Sequence, residues 1–387
     1  HCISSAASDV YKRQLYNVSF HTIFTSFNSN PTYSAFYFFV IRTGDYQIFI
    51  KIFSVNSLLN KSIFVNCNII KSLEDSLMKD PFELNAKSIM ALYELFPTEE
   101  ACIKHLEAIN WHGKPVSPFD KTSKVYKLKS GKYRCKNTGK NFTVRTGTMF
   151  EKTKISLRKW FIAIWLVTNH KTGLSSYQLA NDIEVTQKTA WYMLHKIRHA
   201  MRLANENFLE ETVEIDETLV GGRNGNRHWD KKVPHSQGRS HKDKAPVVGM
   251  IQRENLMNAR VTPDTKSDTL SAFIKEYIHP DAIIYTDEND AYNQIGFTYT
   301  RFYVDHSKKL YSYEHITTNR IEGAWTHFKR MVKGTYRTLL KKYLQKYVDE
   351  FVYRYNLRDV SNSDRFNCFL CCADTRYTYK QIRKSVA

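Results

Sequence analysis

Acidic residues in three separate segments of this chain could support metal-dependent chemistry. Residues 213–218 alternate apolar and polar and predict a strand that ends near Asp216, and 282–288 predict a buried strand that ends at Asp287. Residues 313–330 follow the period of a helix. Carboxylates from two strands and a helix offer the oxygen ligands that Mg²⁺ or Mn²⁺ prefers, and a pair of such ions promotes in-line attack on a phosphodiester.

The predicted helix presents four polar residues on one side, within an arc of roughly 80° at 100° per residue. These are Asn319, Glu322, Thr326 and Lys329. We predict that Asp216, Asp287 and Glu322 bind the metal, with Asp216 shared between two ions. Asn319 lies one turn before Glu322 and remains an alternative third catalytic residue, although we favour Glu322.

Two further residues are candidates for contacts with the reacting phosphate. Lys329 lies two turns beyond Glu322 on the same side of the helix, where it could hold a DNA phosphate, although a surface lysine is often only solvated. His315 could orient water or phosphate.

The segments around these residues predict a mixed α/β fold. Strands are expected at 245–251, 256–261, 283–286 and 299–304, with a helix at 267–278. An amphipathic helix at 341–357 is expected to pack on the sheet.

A helix-turn-helix segment is predicted before this sheet. An apolar helix at 158–169 precedes a short helix that Ser175 could cap and a second helix that Thr186 could cap. The start of such a second helix commonly meets DNA bases, and its basic edge meets phosphates. The predicted DNA contacts on it are Gln187, Lys188, Thr189, Lys196 and Arg198. The alternative is a plain helical hairpin that links two domains.

Two other basic segments are candidates for contact with DNA. The loop 221–244 carries seven Lys or Arg and two Asp, and its predicted contacts are Arg223, Arg227, Lys231 and Lys232. The second is a basic run from Lys121 to Lys140, which either contacts DNA phosphates or is only the solvated face of a β-ribbon.

Several phrases resemble the ISXO-like, DDE-type transposases of bacterial insertion sequences. They are Ile-Asp-Glu-Thr at 215–218, Pro-Val-Val-Gly-Met at 246–250, Thr-Asp at 286–287, Asp-His-Ser at 305–307 and Asn-Arg-Ile-Glu-Gly at 319–323. The resemblance runs from about residue 91 to about 382. It implies a ribonuclease H-like catalytic domain that uses divalent metal to cut and join DNA, with the third carboxylate 35 residues after Asp287, as in Glu322.

The resemblance also implies a zinc ribbon before the catalytic domain, held by two Cys-x-x-Cys pairs. Here the four positions are Ser117, Asp120, Cys135 and Thr138. Since three of the four thiolates are absent, we expect a degenerate ribbon that does not bind zinc.

Composition agrees with a polyanionic partner. The chain of 387 residues has 57 Lys+Arg against 38 Asp+Glu, a formal net charge of +19. Basic surfaces of this kind bind nucleic acid by displacing counterions from phosphates. Seven irregularly spaced cysteines predict no disulfide framework, so we expect a cytoplasmic protein. The resemblance implies a bacterial, nucleoid-associated protein, and because no membrane span is evident in the sequence we expect no membrane partner.

The sequence predicts five regions. Residues 1–77 are expected to be a non-native extension, because 4–14 resemble a translated sequencing-library adapter and 15–76 lack sustained periodicity. The expected regions that follow are a degenerate zinc-ribbon-like region at 78–150, a helix-turn-helix at 151–205, a catalytic domain at 206–335 and a helical region at 336–387.

The predicted function is transposition by cleavage at the terminal inverted repeats and strand transfer into target double-stranded DNA. Pairing two DNA ends implies a homodimer or a larger oligomer. The alternatives are a catalytically decayed DNA-binding relic or regulator, and a structure-selective nuclease on the same fold.

Overall fold

In the computed structural model the chain divides into two compact units, His1–Leu77 and Met78–Ala387. The structure describes residues 37–43, 46–52, 84, 86–205, 208–221, 225, 227–234, 244–253, 256–304 and 317–384. In the first unit, strands β1 (Tyr37–Thr43) and β2 (Tyr46–Ile52) pair antiparallel. The expected non-native origin of 1–77 stays a prediction, as do the four boundaries proposed after it.

The second unit begins with two helices and a small antiparallel sheet. They are α1 (Ile89–Leu95), α2 (Glu99–Trp111), β3 (Val125–Lys127), β4 (Tyr133–Cys135) and β5 (Asn141–Phe142). Trp111, at the end of α2, packs edge-on against Tyr133 at 4.9 Å and against Phe142 at 6.0 Å between ring centroids. One face of this ribbon is therefore its core, and the opposite face is solvated.

Three helices follow the ribbon: α3 (Leu157–Asn169), α4 (Ser176–Asp182) and α5 (Gln187–Ala204). The hydroxyl of Ser175 accepts the Gln178 N–H at 3.1 Å, and that of Thr186 accepts the Thr189 N–H at 3.3 Å. Both caps lie where the sequence predicts them. The turn between α4 and α5 contains Glu184 with φ of +51°.

The second unit also contains a mixed five-stranded sheet. Its strands are β6 (Thr212–Val220), β7 (Ala245–Gln252), β8 (Met257–Val261), β9 (Ile283–Asp287) and β10 (Thr300–Val304). The spatial order is β10-β9-β6-β7-β8; β7 is antiparallel to β6 and β8, while β9 is parallel to β6 and β10.

One strand end differs from its prediction. The strand does not end near Asp216, because β6 stays paired with β7 as far as Val220, opposite Ala245. Asp216 therefore lies within a strand, opposite Gly249, and the sheet fixes its position more rigidly than a strand end would.

Helices cover both faces of the sheet. They are α6 (Ser267–Tyr277), α7 (Asn319–Met331) and α8 (Leu344–Asn356), whereas α9 (Asn362–Cys371) packs with α3 and α10 (Tyr379–Lys384) follows it. Val213 and Ile215 pack with Leu270 of α6, whereas Val247 packs on the opposite face with Phe328 of α7. This alternation follows from the two-residue period of a strand.

The predicted helix at 341–357 packs on the sheet as expected, through the same cluster as α7. Its first turn is a 3₁₀ helix, Lys341–Tyr343, and α8 begins only at Leu344. Within the described ranges, no helix has the length and apolarity needed to cross a membrane.

Candidate active site

Three carboxylates meet at the point where β6 and β9 separate. Oxygen atoms of Asp216, Glu217 and Asp287 all lie within 4.8 Å of one another, and each residue is half-buried. Among the described residues this is the group of acidic side chains that could hold a metal ion. Carboxylate oxygens at this spacing fit a hard divalent cation, whose remaining positions water or phosphate can fill.

The register of the sheet explains the meeting. β6 and β9 pair only from Thr212–Ile283 to Glu214–Tyr285, so the two strands part before Asp216 and Asp287. Neighbouring residues in a strand point to opposite faces, and Glu217 therefore approaches from the other side of the sheet than Asp216. Strand alternation therefore gave no signal that Glu217 would join Asp216.

Burial and like charge both act on these carboxylates. Burial raises the pKa of Asp216 to about 6, and the nearby charges of Asp287 and Glu322 raise it further, while Lys329 opposes them. Burial is also the main cause that raises the pKa of Glu217 to about 7, and the nearby charges of Asp287 and Asp216 raise it further. A bound cation would relieve both effects.

Helix α7 presents its predicted polar face beside this cluster. Asn319, Glu322, Thr326 and Lys329 are exposed, as the helical period requires. The Thr318 hydroxyl donates to Glu322 Oε1 at 3.0 Å. Glu322 is outside the 4.8 Å group, although its charge and that of Lys329 act on Asp216. The choice between Asn319 and Glu322 as third catalytic residue stays open.

The close approach of α7 to the sheet depends on a glycine. A Cβ at Gly249 would lie 2.4 Å from Cζ2 of Trp325, a contact that requires the indole to move. Since Gly249 pairs with Asp216, this indole packs on the strand position next to the candidate metal ligand. Val-Val-Gly-Met at 247–250 thus leaves room for the helix that carries Glu322.

Arg301 supports Asp287 from the neighbouring strand β10. Its guanidinium donates to the Thr286 hydroxyl at 2.9 Å, to the Asp287 carbonyl at 3.0 Å and to Asn293 Oδ1 at 2.8 Å. These bonds fix the backbone at the end of β9 while leaving the Asp287 carboxylate available. No sequence signal distinguished this arginine from others in the chain.

The predicted DNA contacts at the start of α5 are accessible at the surface, whereas those in the middle of the helix are buried. Lys188 is exposed, Thr189 bonds Thr186 at 2.9 Å between hydroxyl oxygens, and Gln187 donates to the Ser176 hydroxyl at 2.9 Å. This end of the helix lies at the surface, where a DNA groove could reach Lys188.

Two predicted DNA contacts on α5 are corrected by the structure. Arg198 is 1% exposed, and its Nε donates to Glu350 Oε2 at 2.6 Å. Lys196 is 3% exposed and donates to the Met149 carbonyl at 2.6 Å, and burial lowers its pKa to about 8. Both side chains bind partners in the interior and so cannot reach DNA phosphates at the surface.

The basic loop is described in part. Lys231 and Lys232 are exposed, Trp229 is 86% exposed and Arg227 is half-buried. Arg223 and His315, both predicted as functional, lie outside the described residues, so their roles stay predictions.

The four ribbon positions that would hold zinc form hydrogen bonds instead. Ser117 Oγ accepts the Asp120 N–H at 3.4 Å, and Asp120 Oδ2 accepts from Asn137 Nδ2 at 2.7 Å. Although burial opposes it, hydrogen bonds from Ser117, Ser123 and Thr138 lower the pKa of Cys135 to about 6. One thiol with two hydroxyls and one carboxylate does not fit a structural zinc site, which uses Cys and His ligands.

The sheet and the helices that pack on it lie in a part of the chain that is similar to a known family. The sequence model of the ISXO2-like transposase domain matches residues 208–356. An "Uncharacterized protein in transposable element ISH50" of Halobacterium salinarum is 26% identical over 271 residues, which cover 65% of this chain and 90% of that protein. An "Uncharacterized transposase-like protein" of Haemophilus influenzae is 28% identical over 103 residues, 26% of this chain and 82% of that protein.

Solved structures of Mos1 complexes also align with the chain. The Mos1 strand transfer complex matches 56% of this chain and 78% of that chain at 11% identity, with a TM-score of 0.21. The Mos1 mariner paired end complex with Mn matches 52% and 75% at 12% identity, also with a TM-score of 0.21. Such scores do not bear on the fold. The match over residues 208–356, which include Asp216, Asp287 and Glu322, supports an ISXO2-like transposase family for this part of the chain.

Proposed function

We propose that this protein is a DDE-type transposase that cuts DNA at inverted-repeat ends and transfers the freed strand to target DNA with the help of divalent metal. The three half-buried carboxylates of Asp216, Glu217 and Asp287 beside α7, together called the carboxylate group, are the observation on which the proposal rests. Phosphodiester attack by two-metal enzymes needs carboxylates gathered in this way.

The topology supports a ribonuclease H-like fold. Three antiparallel strands, β8, β7 and β6, are extended by β9 and β10, both parallel to β6, with helices on both faces. The central strand of this order carries Asp216, and its parallel neighbour ends at Asp287. Open sheets with parallel strands place ligand sites where neighbouring strands separate.

Each residue of the site has a separate proposed role. Asp216, Asp287 and either Glu322 or Asn319 would hold the cations, and Glu217 is placed to join them. When bound, Mg²⁺ or Mn²⁺ lowers the pKa of the attacking hydroxyl or water and neutralises charge that develops on the phosphate. Lys329, exposed on α7, would hold a neighbouring DNA phosphate. Arg301 and Trp325 keep the strand end and the helix in place.

Two surfaces are proposed to bind the DNA itself. The first is the exposed start of α5 together with the loop residues Arg227, Lys231 and Lys232. The second is the solvated face of the ribbon, where basic residues are neighbours across the strands. Tyr126 pairs with Arg134, and the Lys136 N–H donates to the Lys124 carbonyl at 2.9 Å. Lys124, Arg134 and Lys136 are exposed, and Arg134 alternates with the buried Tyr133 and Cys135, so its side chain lies on the face away from the ribbon core.

The decisive experiment is strand transfer by the full chain on duplexes that carry the element's inverted repeats, with Mg²⁺ or Mn²⁺. We expect joined products that disappear in Asp216→Asn and Asp287→Asn. Glu322→Gln and Asn319→Ala, compared side by side, decide the third catalytic residue. Glu288→Gln is the matched control, because this exposed acid follows Asp287 but lies outside the carboxylate group.

Two outcomes would contradict the proposal. Specific binding to the repeats without nicking by either metal would favour the catalytically decayed DNA-binding protein. Nicking that persists in Asp216→Asn and Asp287→Asn would place the chemistry elsewhere in the chain.

A further inference from the structure

Helix α7 has an unusual N-terminus, and its capping group comes from the sheet. Thr318 is the residue before the helix, yet its side chain caps no backbone N–H. Its hydroxyl donates to Glu322 Oε1 at 3.0 Å instead. The first N–H groups of a helix need acceptors, and a buried helix end without them would be costly.

Glu214 of β6 supplies the missing acceptor. Its Oε2 accepts the Arg320 N–H at 3.0 Å and the Ile321 N–H at 3.3 Å, across 106 and 107 residues of chain. Glu214 is fully buried, at 0% exposure. A carboxylate at this position also interacts favourably with the positive end of the helix dipole.

The position of Glu214 in β6 links this cap to the catalytic group. Glu214 and Asp216 are two residues apart in one strand, so their side chains share a face of the sheet. Glu214 thus holds the first turn of α7 against the strand that carries Asp216. Trp325 packs on Gly249 one turn beyond Glu322 and provides a second fixed point.

We infer that Glu214 is a positioning residue of the active site, which sets where the first turn of α7, with Asn319 and Glu322, stands relative to Asp216. With the cap supplied by Glu214, Thr318 is left to orient the Glu322 carboxylate. The inference deepens the proposed function and rests on it for its catalytic consequence, but the capping itself can be measured without catalysis.

Burial raises the pKa of Glu214, and the two backbone N–H groups of α7 and the nearby Arg253 oppose that effect. Arg253 Nε, just beyond the end of β7, lies 3.6 Å from Glu214 Oε1, and the Arg253 guanidinium also lies 4.8 Å from the centre of the Tyr285 ring. Glu214 is thus bounded by a helix N-terminus on one side and a cation on the other. A second acid in the same strand, Glu217, has no such helix end and turns to the carboxylate group instead.

The test compares Glu214→Gln with Phe328→Leu in the full chain. The glutamine keeps the size and one acceptor oxygen but removes the charge, and Phe328 is buried in the second half of the same helix, away from its N-terminus. Hydrogen exchange at the Arg320 and Ile321 amides, without metal or DNA, reads the cap directly. Since a hydrogen bond to a charged group is worth about a factor of ten, we expect roughly tenfold faster exchange in Glu214→Gln.

Two further readouts separate positioning from general stability. Mn²⁺ affinity, measured by calorimetry without DNA, should fall in Glu214→Gln by about tenfold or less, while affinity for the inverted-repeat duplex in EDTA stays the same. Phe328→Leu should lower the melting temperature but change neither the amide exchange at Arg320 and Ile321 nor Mn²⁺ affinity.

Either of two results would overturn the inference. One is unchanged exchange at both amides and unchanged Mn²⁺ affinity in Glu214→Gln; the other is an equal effect of Phe328→Leu on both readouts. Failure of the proposed function is a different result. If the wild-type chain showed no strand transfer, amide exchange would still differ between the wild type and Glu214→Gln.

Discussion

Polar side chains gather at one place in the ribbon and at another in the five-stranded sheet. The two places differ in whether the polar side chains form hydrogen bonds with their neighbours. In the ribbon, Ser117, Asp120 and Cys135 take part in hydrogen bonds with neighbouring hydroxyl, amide and backbone groups. At the sheet, Asp216 and Glu217 are half-buried near further negative charge, and the pKa of each is raised.

Whether polar side chains bond each other or repel each other indicates where the protein needs an added ion. A group of polar side chains that bond each other is complete within the protein, whereas buried carboxylates that repel each other lower the stability of the fold until a cation joins them. The ribbon is of the first kind, because hydrogen bonds connect its polar side chains. The sheet has kept its electrostatic cost, as proteins commonly do at functional sites.

The largest effect is expected from neutralising the carboxylate group. Asp216→Asn should reduce strand transfer by about 10³-fold or more, as removal of a central catalytic group does. The same change should raise the melting temperature without metal by a few degrees, because it removes one of several like charges. Strand-transfer assays and thermal unfolding in EDTA check the two effects. A lower melting temperature in EDTA would show that the site lacks the repulsion described above.

The next effect concerns pH. The folded-state pKa values of Asp216 and Glu217, about 6 and about 7, lie above their ordinary values of 3.8 and 4.5. The folded protein therefore binds more protons than the unfolded chain, and the metal-free stability falls as pH rises from about 4 to about 7, by on the order of 2 kcal/mol for Asp216. Stabilisation by Mg²⁺ should grow over the same window, since metal binding needs deprotonated carboxylates.

Other groups also titrate in this window, and Asp349, whose pKa burial raises to about 7, is one of them. The informative measurement is therefore the difference between wild type and Asp216→Asn in unfolding free energy, taken from pH 4.5 to 7.5 in EDTA. This difference should widen with rising pH. If it is constant across the range, Asp216 does not carry the cost assigned to it.

Local periodicity was sufficient to predict much of this site. The strand alternation around Ile283–Asp287 and the helical period of Asn319–Met331 depend on near neighbours, so Asp287 and the polar face of α7 were located correctly. The caps at Ser175 and Thr186 were likewise predictable, because a capping hydroxyl bonds a residue three positions away.

What the sequence did not predict depends on residues far apart in the chain. The end of β6 is decided by its pairing with β7, and Arg198 is buried because Glu350 lies beside it, 152 residues away. A basic residue on a helix is normally solvated, so local reasoning placed Arg198 on the surface. The cap that Glu214 gives to α7 has no local signal either.

A smaller effect is expected at the solvated face of the ribbon. If this face contacts phosphates, the combined change Lys124→Ala, Arg134→Ala and Lys136→Ala should weaken binding to repeat and unrelated duplexes alike. Each lost phosphate contact lowers the slope of log K against log salt by about 0.9, so a reduction of about 2 to 3 is expected. Fluorescence anisotropy between 50 and 200 mM salt, roughly the range over which such contacts are lost, measures the slope.

The matched control removes three exposed lysines from other elements, with Lys87→Ala, Lys275→Ala and Lys380→Ala. An equal change of slope in both triple variants would mean that only net charge matters and that the ribbon face is merely solvated. A loss confined to the inverted-repeat duplex would also contradict a phosphate contact, because such contacts carry no sequence information.

The smallest effect is expected at Cys135 and the hydroxyl groups around it in the ribbon. At this place, unlike at the carboxylate group, we expect stability not to depend on metal. Cys135→Ser keeps a hydroxyl among Ser117, Ser123 and Thr138 and should change the melting temperature only slightly, with or without a zinc chelator. The control is the triple change Ser117→Cys, Asp120→Cys and Thr138→Cys, which provides four thiols and should make the melting temperature depend on zinc. A wild-type ribbon that loses stability in the chelator would show that metal, rather than these hydrogen bonds, holds it together.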